Sequence, residues 1–593
     1  MKNLEIARLF ELMADLLEIK GDNPFRIRAY RRASQNLESL GEDVDTLARE
    51  DRLETIPGIG ADLAQKISEY LATGRIEEVE AARKQIPAGV VELMNVPGVG
   101  PRTARLLYDR AGVKDLGELE ALAKAGRLRG LPGIQAKTES NILKGIAVVR
   151  RGQERMPLGR ALPLAGELVH ALEKLPEVKR LSVAGSIRRR KETVGDMDIL
   201  VTSSKPDKVM EAFTGLPDVG DVLERGATKA SVRHREGIQV DLRVVEPESF
   251  GAALVYFTGS KQHNIRIREM AVKRGLKISE YGVFDEPTGR RVAGKTEEEV
   301  YRAIGLPWIP PELREDAGEI EAALEGKLPA LIEVGDIRGD LHAHTNASDG
   351  HHSIEALVAA AKRRGYEYIV VSDHSRSATV AGGLSADELL AHVGAIRAVQ
   401  KAFPGIAVLA GSECDILPDG AMDYPDEVLA ELDIVLAAVH SRFKQPRVEM
   451  TKRICAALAN PYVSILAHPT GRLIGEREAY DVDLDEVFRT AKRHGKAVEI
   501  NSYPQRLDLN DLHARRAAEL GVLIAIDTDT HVLAHLDNVG LGVSTARRAW
   551  IEASQVVNTW PLEKLVAWAR RPRPDGGRKP GGRKPPSHSR SKR

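Results

Sequence analysis

Two sets of side chains in this sequence have the types and spacing of metal chemistry. Asp196 and Asp198 stand in Gly195-Asp196-Met197-Asp198-Ile199-Leu200-Val201, whose apolar residues predict a strand. Residues two apart on a strand share a face, so both carboxylates point the same way and suit divalent cations. Asp241, in Ile238-Gln239-Val240-Asp241-Leu242-Arg243-Val244, sits in a similar context on a second predicted strand. Three converging carboxylates suit two Mg²⁺ or Mn²⁺, one activating a 3′-hydroxyl and the other holding a triphosphate. Asp-x-Asp alone marks many turns and calcium loops; Gly185-Ser186-Ile187-Arg188-Arg189 shortly upstream makes the pattern specific.

The second set is built on histidine. Of 16 histidines, 12 lie between His342 and His535. From about residue 336 the chain alternates apolar strand and helix, and nearly every predicted strand ends in a metal-ligand side chain. The ends are Asp340-Leu341-His342-Ala343-His344, Ser372-Asp373-His374, Gly411-Ser412-Glu413, Val439-His440, Ala467-His468, Glu499-Ile500-Asn501 and Asp527-Thr528-Asp529-Thr530-His531. In a closed α/β barrel such ends converge at one mouth. Six histidines (His342, His344, His374, His440, His468 and His531) with Asp349, Glu413 and Asp529 exceed what one zinc needs. They imply two or three Mn²⁺, Zn²⁺ or Fe ions. Hydroxide activated between such ions attacks phosphorus, so the expected chemistry is phosphoester hydrolysis. His351, His352, His392, His494, His513 and His535 lie outside strand ends and are assigned no ligand role. Arg472 and Arg506 follow strands and are read first as salt-bridging residues, second as holders of a substrate backbone.

Over residues 1–316 these motifs resemble the family X DNA polymerases. That resemblance implies that Asp196, Asp198 and Asp241 bind metal and that Ser186 and Arg189 bind the incoming triphosphate. It makes Tyr256-Phe257-Thr258-Gly259-Ser260 the sugar-discriminating segment and puts Asn264 and Arg268 near the nascent base pair. The aromatic pair excludes a 2′-hydroxyl by bulk, and Gly259 lets the backbone approach a ribose. Lys261 and His263 are expected to add positive charge beside the nucleotide pocket. Residues 336–570 are similar to the PHP (polymerase and histidinol phosphatase) domain. Thr530 replaces the smaller residue usual in the closing motif and touches no ligand. For polymerases of this build the resemblance implies 3′-to-5′ exonuclease action, 3′-phosphate removal and cleavage at abasic sites.

The elements that must present DNA to these centres lie at the front. Ile56-Pro57-Gly58-Ile59-Gly60 recurs as Val96-Pro97-Gly98-Val99-Gly100, and more weakly as Leu131-Pro132-Gly133-Ile134-Gln135. Each copy precedes a helix-like run and reads as a helix-hairpin-helix. Gly58, Gly60, Gly98 and Gly100 permit a tight hairpin whose backbone N–H groups hold a phosphate oxygen without reading bases. Lys66 matches the lysine that forms a Schiff base in some relatives, but lysines of those relatives are here Arg26 and Asp62. An acid so near favours the ammonium form, so Lys66 is read as a phosphate-binding rather than a lyase residue. Phe25-Arg26-Ile27-Arg28-Ala29-Tyr30-Arg31-Arg32 predicts a basic helix face.

The sum is a multidomain α/β chain. Helical helix-hairpin-helix domains are expected at 1–80 and 81–150 and a mixed α/β nucleotidyltransferase palm at 151–245. A nucleotide-selecting thumb follows at 246–316, then a linker at 317–335 and a distorted seven-stranded (β/α) barrel at 336–570. A basic low-complexity tail, 571–593, would add salt-sensitive DNA affinity. The zero net charge hides segregation: residues 1–300 carry 49 Lys+Arg against 46 Asp+Glu, 301–570 carry 28 against 39, and the tail 9 against 1. A mean hydropathy of -0.26 and no long apolar run argue against a membrane protein. Two cysteines, Cys414 and Cys455, and an acid-bearing first helix fit the cytoplasm. The expected function is filling of short gaps in base-excision repair by a monomer acting on gapped or damaged DNA and deoxynucleoside triphosphates. Untemplated nucleotide addition by the same fold, or a non-catalytic DNA-binding scaffold, are the alternatives.

Overall fold

The computed structural model describes residues 2–38, 40–96, 99–150 and 155–570. The described residues form two compact units: those of 1–330 with 510–516 and 544–550, and those of 331–509 with 517–543 and 551–570.

The first unit begins with helices. Lys2–Lys20 and Pro24–Glu38 pack through Phe10 and Tyr30, whose rings meet edge to face at 5.5 Å. One apolar core gathers residues from Ile6 to Val90 and a second gathers those from Leu93 to Ile146. The first hairpin is built as its glycines require: Gly58 has φ of 78°, and Gly60 precedes the helix Ala61–Thr73. Gly100 precedes the helix Pro101–Ala111; Gly98 lies outside the described residues, as does the basic tail. The predicted basic helix is longer than its motif, and two of its four arginines are neutralised. Arg31 pairs with Glu11, Asp15 and Glu18, and Arg26 pairs with Asp22 and Glu78.

A five-stranded sheet follows. Asp196–Thr202 is flanked by antiparallel Arg180–Val183 and parallel Gln239–Val245, with Lys229–His234 and Val219–Arg225 beyond. Two helices, Phe250–Thr258 and Lys261–Val272, lead to a three-stranded antiparallel sheet.

Beneath them a buried carboxylate, Glu297, collects five donors. Arg188 and Arg314 each fork onto it at 2.8–3.2 Å, and Trp308 Nε1 donates at 2.9 Å. Burial pushes the Glu297 carboxyl up, but the hydrogen bond from Arg188 and the charge of Arg314 outweigh it and hold it far below 4.5. A depressed acid contributes stability that is present above its unfolded value and lost as pH falls toward the folded one. Glu297→Gln should therefore lower stability at pH 7 by about 3 kcal/mol, since the buried Arg314 and the partly buried Arg188 lose their counter-charge. Scanning calorimetry at descending pH should show the variant losing less than wild type below 4.5.

The second unit is a parallel seven-stranded sheet in simple chain order: Gly339–Asp340, Tyr368–Val371, Ala407–Asp415, Ile434–Ala438, Ile465–Leu466, Ala497–Asn501 and Leu523–Asp527. A parallel bridge between Ala343 and Thr530 brings the last strand back toward the first, so the barrel nearly closes. Its strands are buried almost throughout, as expected where helices cover a parallel sheet. Leu341, Leu436, Ala525 and Trp560 belong to one core with Tyr368. Among the described residues no helix is long and apolar enough to cross a membrane.

Candidate functional sites

In the five-stranded sheet, Asp198 lies directly opposite Asp241 in register, and Asp196 opposite Gln239. The acids therefore meet because each central strand carries one at the same level. Gly185 sits at φ of 66°, where an added Cβ would stand 2.8 Å from Asp198 Oδ2; only glycine lets this loop approach the carboxylates. Burial first, then the charges of Asp196 and Asp241, push the Asp198 carboxyl up to about 7. Burial and Asp241 also raise Asp196. Like charges held this close are unfavourable alone, and a divalent cation between them relieves the repulsion.

Beside them opens a cavity of about 440 Å³ lined by Ser186, Arg189, Tyr256, Phe257, Gly259, Lys261, Asn264 and Arg268 as well as Asp196 and Asp198. Its size suits a nucleotide-scale ligand. Tyr256 and Phe257 stand edge to face at 5.0 Å. Arg189 is aimed by the Thr258 carbonyl and by Glu315 at 3.0 Å. Asn264 Nδ2 donates to the Tyr256 carbonyl at 2.7 Å, leaving its Oδ1 buried without a partner. Arg155 and Lys191 also line the cavity and were missed. Lys191 extends the Arg188-Arg189-Arg190 run, which is the signal that would have found it.

His263 is a correction. It is 0% exposed, bonded to Glu319 and Tyr301, and absent from the cavity wall. The reason is helical periodicity: Lys261, Asn264 and Arg268 share one face, whereas His263 lies on the face of buried Ile267 and Ala271. Lys66 pairs with Asp62 and, at 3.3 Å, with Glu78, so a phosphate must compete with two carboxylates for it.

At the barrel mouth the strand ends converge on Glu413. His342, His344 and His374 place ring nitrogens 3.3, 3.6 and 3.0 Å from its Oε2; His440 and His468 lie 3.2 and 2.6 Å from Oε1. Three overlapping nests result, each with ligand atoms within 4.8 Å of one another: His344, Asp349, His374 and His531; His342, His344 and Asp529; His374, Glu413 and His440. Ring nitrogens of His342, His344, His374 and His468 are buried with no aligned hydrogen bond, and these orphaned donor sets fit metal ions. Against the upward push of burial, His374 and His531 hold Asp349 well below the usual carboxylate range, and His374, His440 and His342 do the same for Glu413.

A layer of acids behind the ligands orients them. Glu499 binds His342 Nδ1 at 2.7 Å and the His468 N–H at 2.6 Å, and Asp415 binds His440 Nδ1 at 2.6 Å. Asp373 accepts from Thr345, Ser348 and His392. The Glu499 and Asp415 bonds set which ring nitrogen of His342 and His440 is left free for a metal. Sequence reasoning gave them no role, although Asp415 and Glu499 each lie on a strand whose end carries a motif. Arg472 donates to the backbone carbonyls of Arg506 and Leu507 and is structural. Arg506, by contrast, reaches Asp529 Oδ2 at 3.3 Å and stands at the mouth.

Models of known families match four segments: a helix-hairpin-helix domain (1–76), a SAM-like helix-hairpin-helix tandem (90–147), the DNA polymerase beta thumb (253–315) and a PHP domain (340–503). The DNA polymerase/3'-5' exonuclease PolX of Bacillus subtilis (strain 168) is 40% identical over 573 residues, 96% of this chain and 100% of that protein. DNA polymerase lambda of Rattus norvegicus is 29% identical over 346 residues, 53% of this chain and 56% of its own. A probable phosphatase of Thermoanaerobacter sp. (strain X514) is 30% identical over 232 residues, 37% of this chain and 89% of that one.

Proposed function

The chain belongs to the family X DNA polymerases that carry a PHP domain, and from that premise we propose that it fills short gaps in damaged DNA and trims the 3′ ends it must extend. The observation that carries this reading is the pairing, in one chain, of a carboxylate cluster beside a basic, nucleotide-sized cavity with a separate histidine-lined barrel mouth.

In the polymerase centre, Asp196, Asp198 and Asp241 would hold two Mg²⁺ or Mn²⁺, which when bound supply charge neutralisation and lower the barrier to attack by a 3′-hydroxyl. Ser186 and Arg189 hold the triphosphate, and Lys261 adds charge beside it. Tyr256 and Phe257 crowd the sugar edge against a 2′-hydroxyl. The orphaned Asn264 Oδ1 and Arg268 face the new base pair, so a mispaired geometry leaves them unsatisfied. In the barrel, the nine predicted ligands would hold two or three Mn²⁺, Zn²⁺ or Fe ions, which supply a nucleophilic hydroxide at neutral pH. Arg506 lies near enough to Asp529 to hold a phosphate oxygen of the scissile strand. The hairpins at Gly58, Gly60, Gly98 and Gly100, with Lys66, grip the DNA backbone, and the protein acts as a cytoplasmic monomer in base-excision repair. The domain limits 1–80, 81–150, 151–245, 246–316 and 336–570 are the corresponding functional assignments.

Extension on a one-nucleotide gap, with matched and mismatched 3′ ends and with Mg²⁺, Mn²⁺, Zn²⁺ or Fe²⁺ in turn, tests this reading. Template-directed addition to the matched end and shortening of the mismatched end are expected. Equal addition with and without template would favour untemplated transfer. Binding with neither reaction in any metal would favour a scaffold.

A further inference from the structure

The fully buried His263 is the third residue of a helix whose adjoining face lines the nucleotide cavity. Its Nδ1 lies 2.6 Å from Glu319 Oε1 and its Nε2 2.9 Å from the Tyr301 hydroxyl, and all three residues are 0% exposed. The bonding fixes the tautomer. Glu319 accepts the backbone N–H groups of Asp316 at 3.0 Å and Ala317 at 2.8 Å, and an ionised carboxylate can only accept. Nδ1 therefore carries the proton, and Nε2 accepts from Tyr301. Burial lowers the His263 imidazole, in keeping with a neutral ring. The result is a directed chain, Tyr301 to His263 to Glu319, with no donor or acceptor left over.

This chain joins elements far apart in sequence. Glu319 opens the short helix Glu319–Leu324 in the predicted linker, and Tyr301 belongs to Glu297–Ala303. The Arg314 guanidinium lies over the Tyr301 ring at 5.1 Å and binds Glu297, which also holds Arg188 beside the phosphate-binding Arg189. The Arg314 carbonyl accepts the N–H of Ser260, whose hydroxyl in turn caps the His263 helix. Besides its apolar face, the Asn264 bond to the Tyr256 carbonyl and the partly exposed Arg266 pairs with Asp316 and Glu321, that helix is anchored through this buried network.

We propose that His263 and Glu319 are positioning residues for nucleotide selection: they fix the helix that presents Lys261, Asn264 and Arg268 to the cavity. The role assigned here rests on the reading of that cavity as the nucleotide site. A phenylalanine at 263 keeps a flat ring, slightly larger than imidazole, without either hydrogen bond, so the helix stays packed and loses its register lock. The Glu319 carboxylate is then short of a donor in a dry site, and the linker turn relaxes with it.

The test is single-nucleotide incorporation by the full-length chain on a gapped duplex, with the melting temperature of the same preparation as the control for folding. His263→Phe should raise the KM for the deoxynucleotide about tenfold while kcat changes by less than about threefold, because a small misplacement weakens the closed geometry. Tyr301→Phe, which deletes one hydroxyl, should raise KM by roughly twofold to threefold by loss of a single buried hydrogen bond. Arg268→Ala serves as the direct-contact arm. If it raises KM while both buried variants leave KM unchanged, the positioning role is refuted and the pair is structural only. If Arg268→Ala itself leaves incorporation untouched, the cavity reading fails and the inference falls with it. Should His263→Phe melt well below wild type, Tyr301→Phe decides: a KM equal to wild type refutes the proposal.

Discussion

Replacing Asp196 and Asp198 together by alanine should reduce nucleotide addition by at least about 10³-fold, equivalent to roughly 4 kcal/mol of lost transition-state stabilisation. The two acids share one strand face, and Asp198 stands opposite Asp241, so removing both leaves Asp241 alone to hold a cation. Fold stability should not suffer. Burial and mutual repulsion push Asp196 and Asp198 up, so without metal the native state gains by losing their charges. Hydrolysis at the barrel should proceed at the wild-type rate, because no barrel ligand belongs to this sheet. Rates of primer extension and 3′-end removal on one gapped substrate check both halves. Retained extension would reject the assignment of the carboxylates.

The converse substitution, Glu413→Ala, should lower hydrolysis by a similar factor and leave extension intact. Glu413 is the side chain that five histidines approach, so its loss removes a ligand of the nest with His374 and His440 and the negative charge at the centre of the mouth. Glu413→Gln should recover little activity, since an amide keeps the shape and loses the charge that mixed nitrogen and oxygen sites need. The measurement is mismatched 3′-end removal over a Mn²⁺ titration. Rescue of either variant by excess metal to the wild-type rate would show that Glu413 tunes affinity only.

Much of both sites was legible because strands and barrels turn sequence spacing into spatial convergence. Asp196 and Asp198 share a face by the two-residue period of a strand, whatever lies around them. The histidines converge because parallel strands all end at the same rim, so His342, His374, His440 and His468 meet although more than a hundred residues separate the first from the last. What was not legible depended on which way a helix turns and on what faces it. His263 was read by its proximity to Lys261, yet the helical repeat sends it to the side of Ile267 and Ala271. The basic helix near Arg26 was read by its own charges, whereas Glu11, Asp15 and Glu18 on the preceding helix neutralise Arg31. Glu499 and Asp415 were passed over because their task is to orient a histidine of the mouth, and nothing in spacing alone separates that from an ordinary buried acid. The Glu297 hub is of the same kind: its donors come from Arg188, Trp308 and Arg314, and only the fold brings them to one carboxylate.

The central claim is that one chain assembles two separate cation centres, one of aspartates and one dominated by imidazoles. Anomalous X-ray scattering at the manganese edge, from crystals grown with Mn²⁺ and a non-hydrolysable deoxynucleotide, addresses it most directly. Peaks enclosed by Asp196, Asp198 and Asp241, together with two or three in the nests around Glu413, are the predicted result. No peak among Asp196, Asp198 and Asp241, or a barrel mouth without a peak at the manganese, iron or zinc edge, would contradict the account.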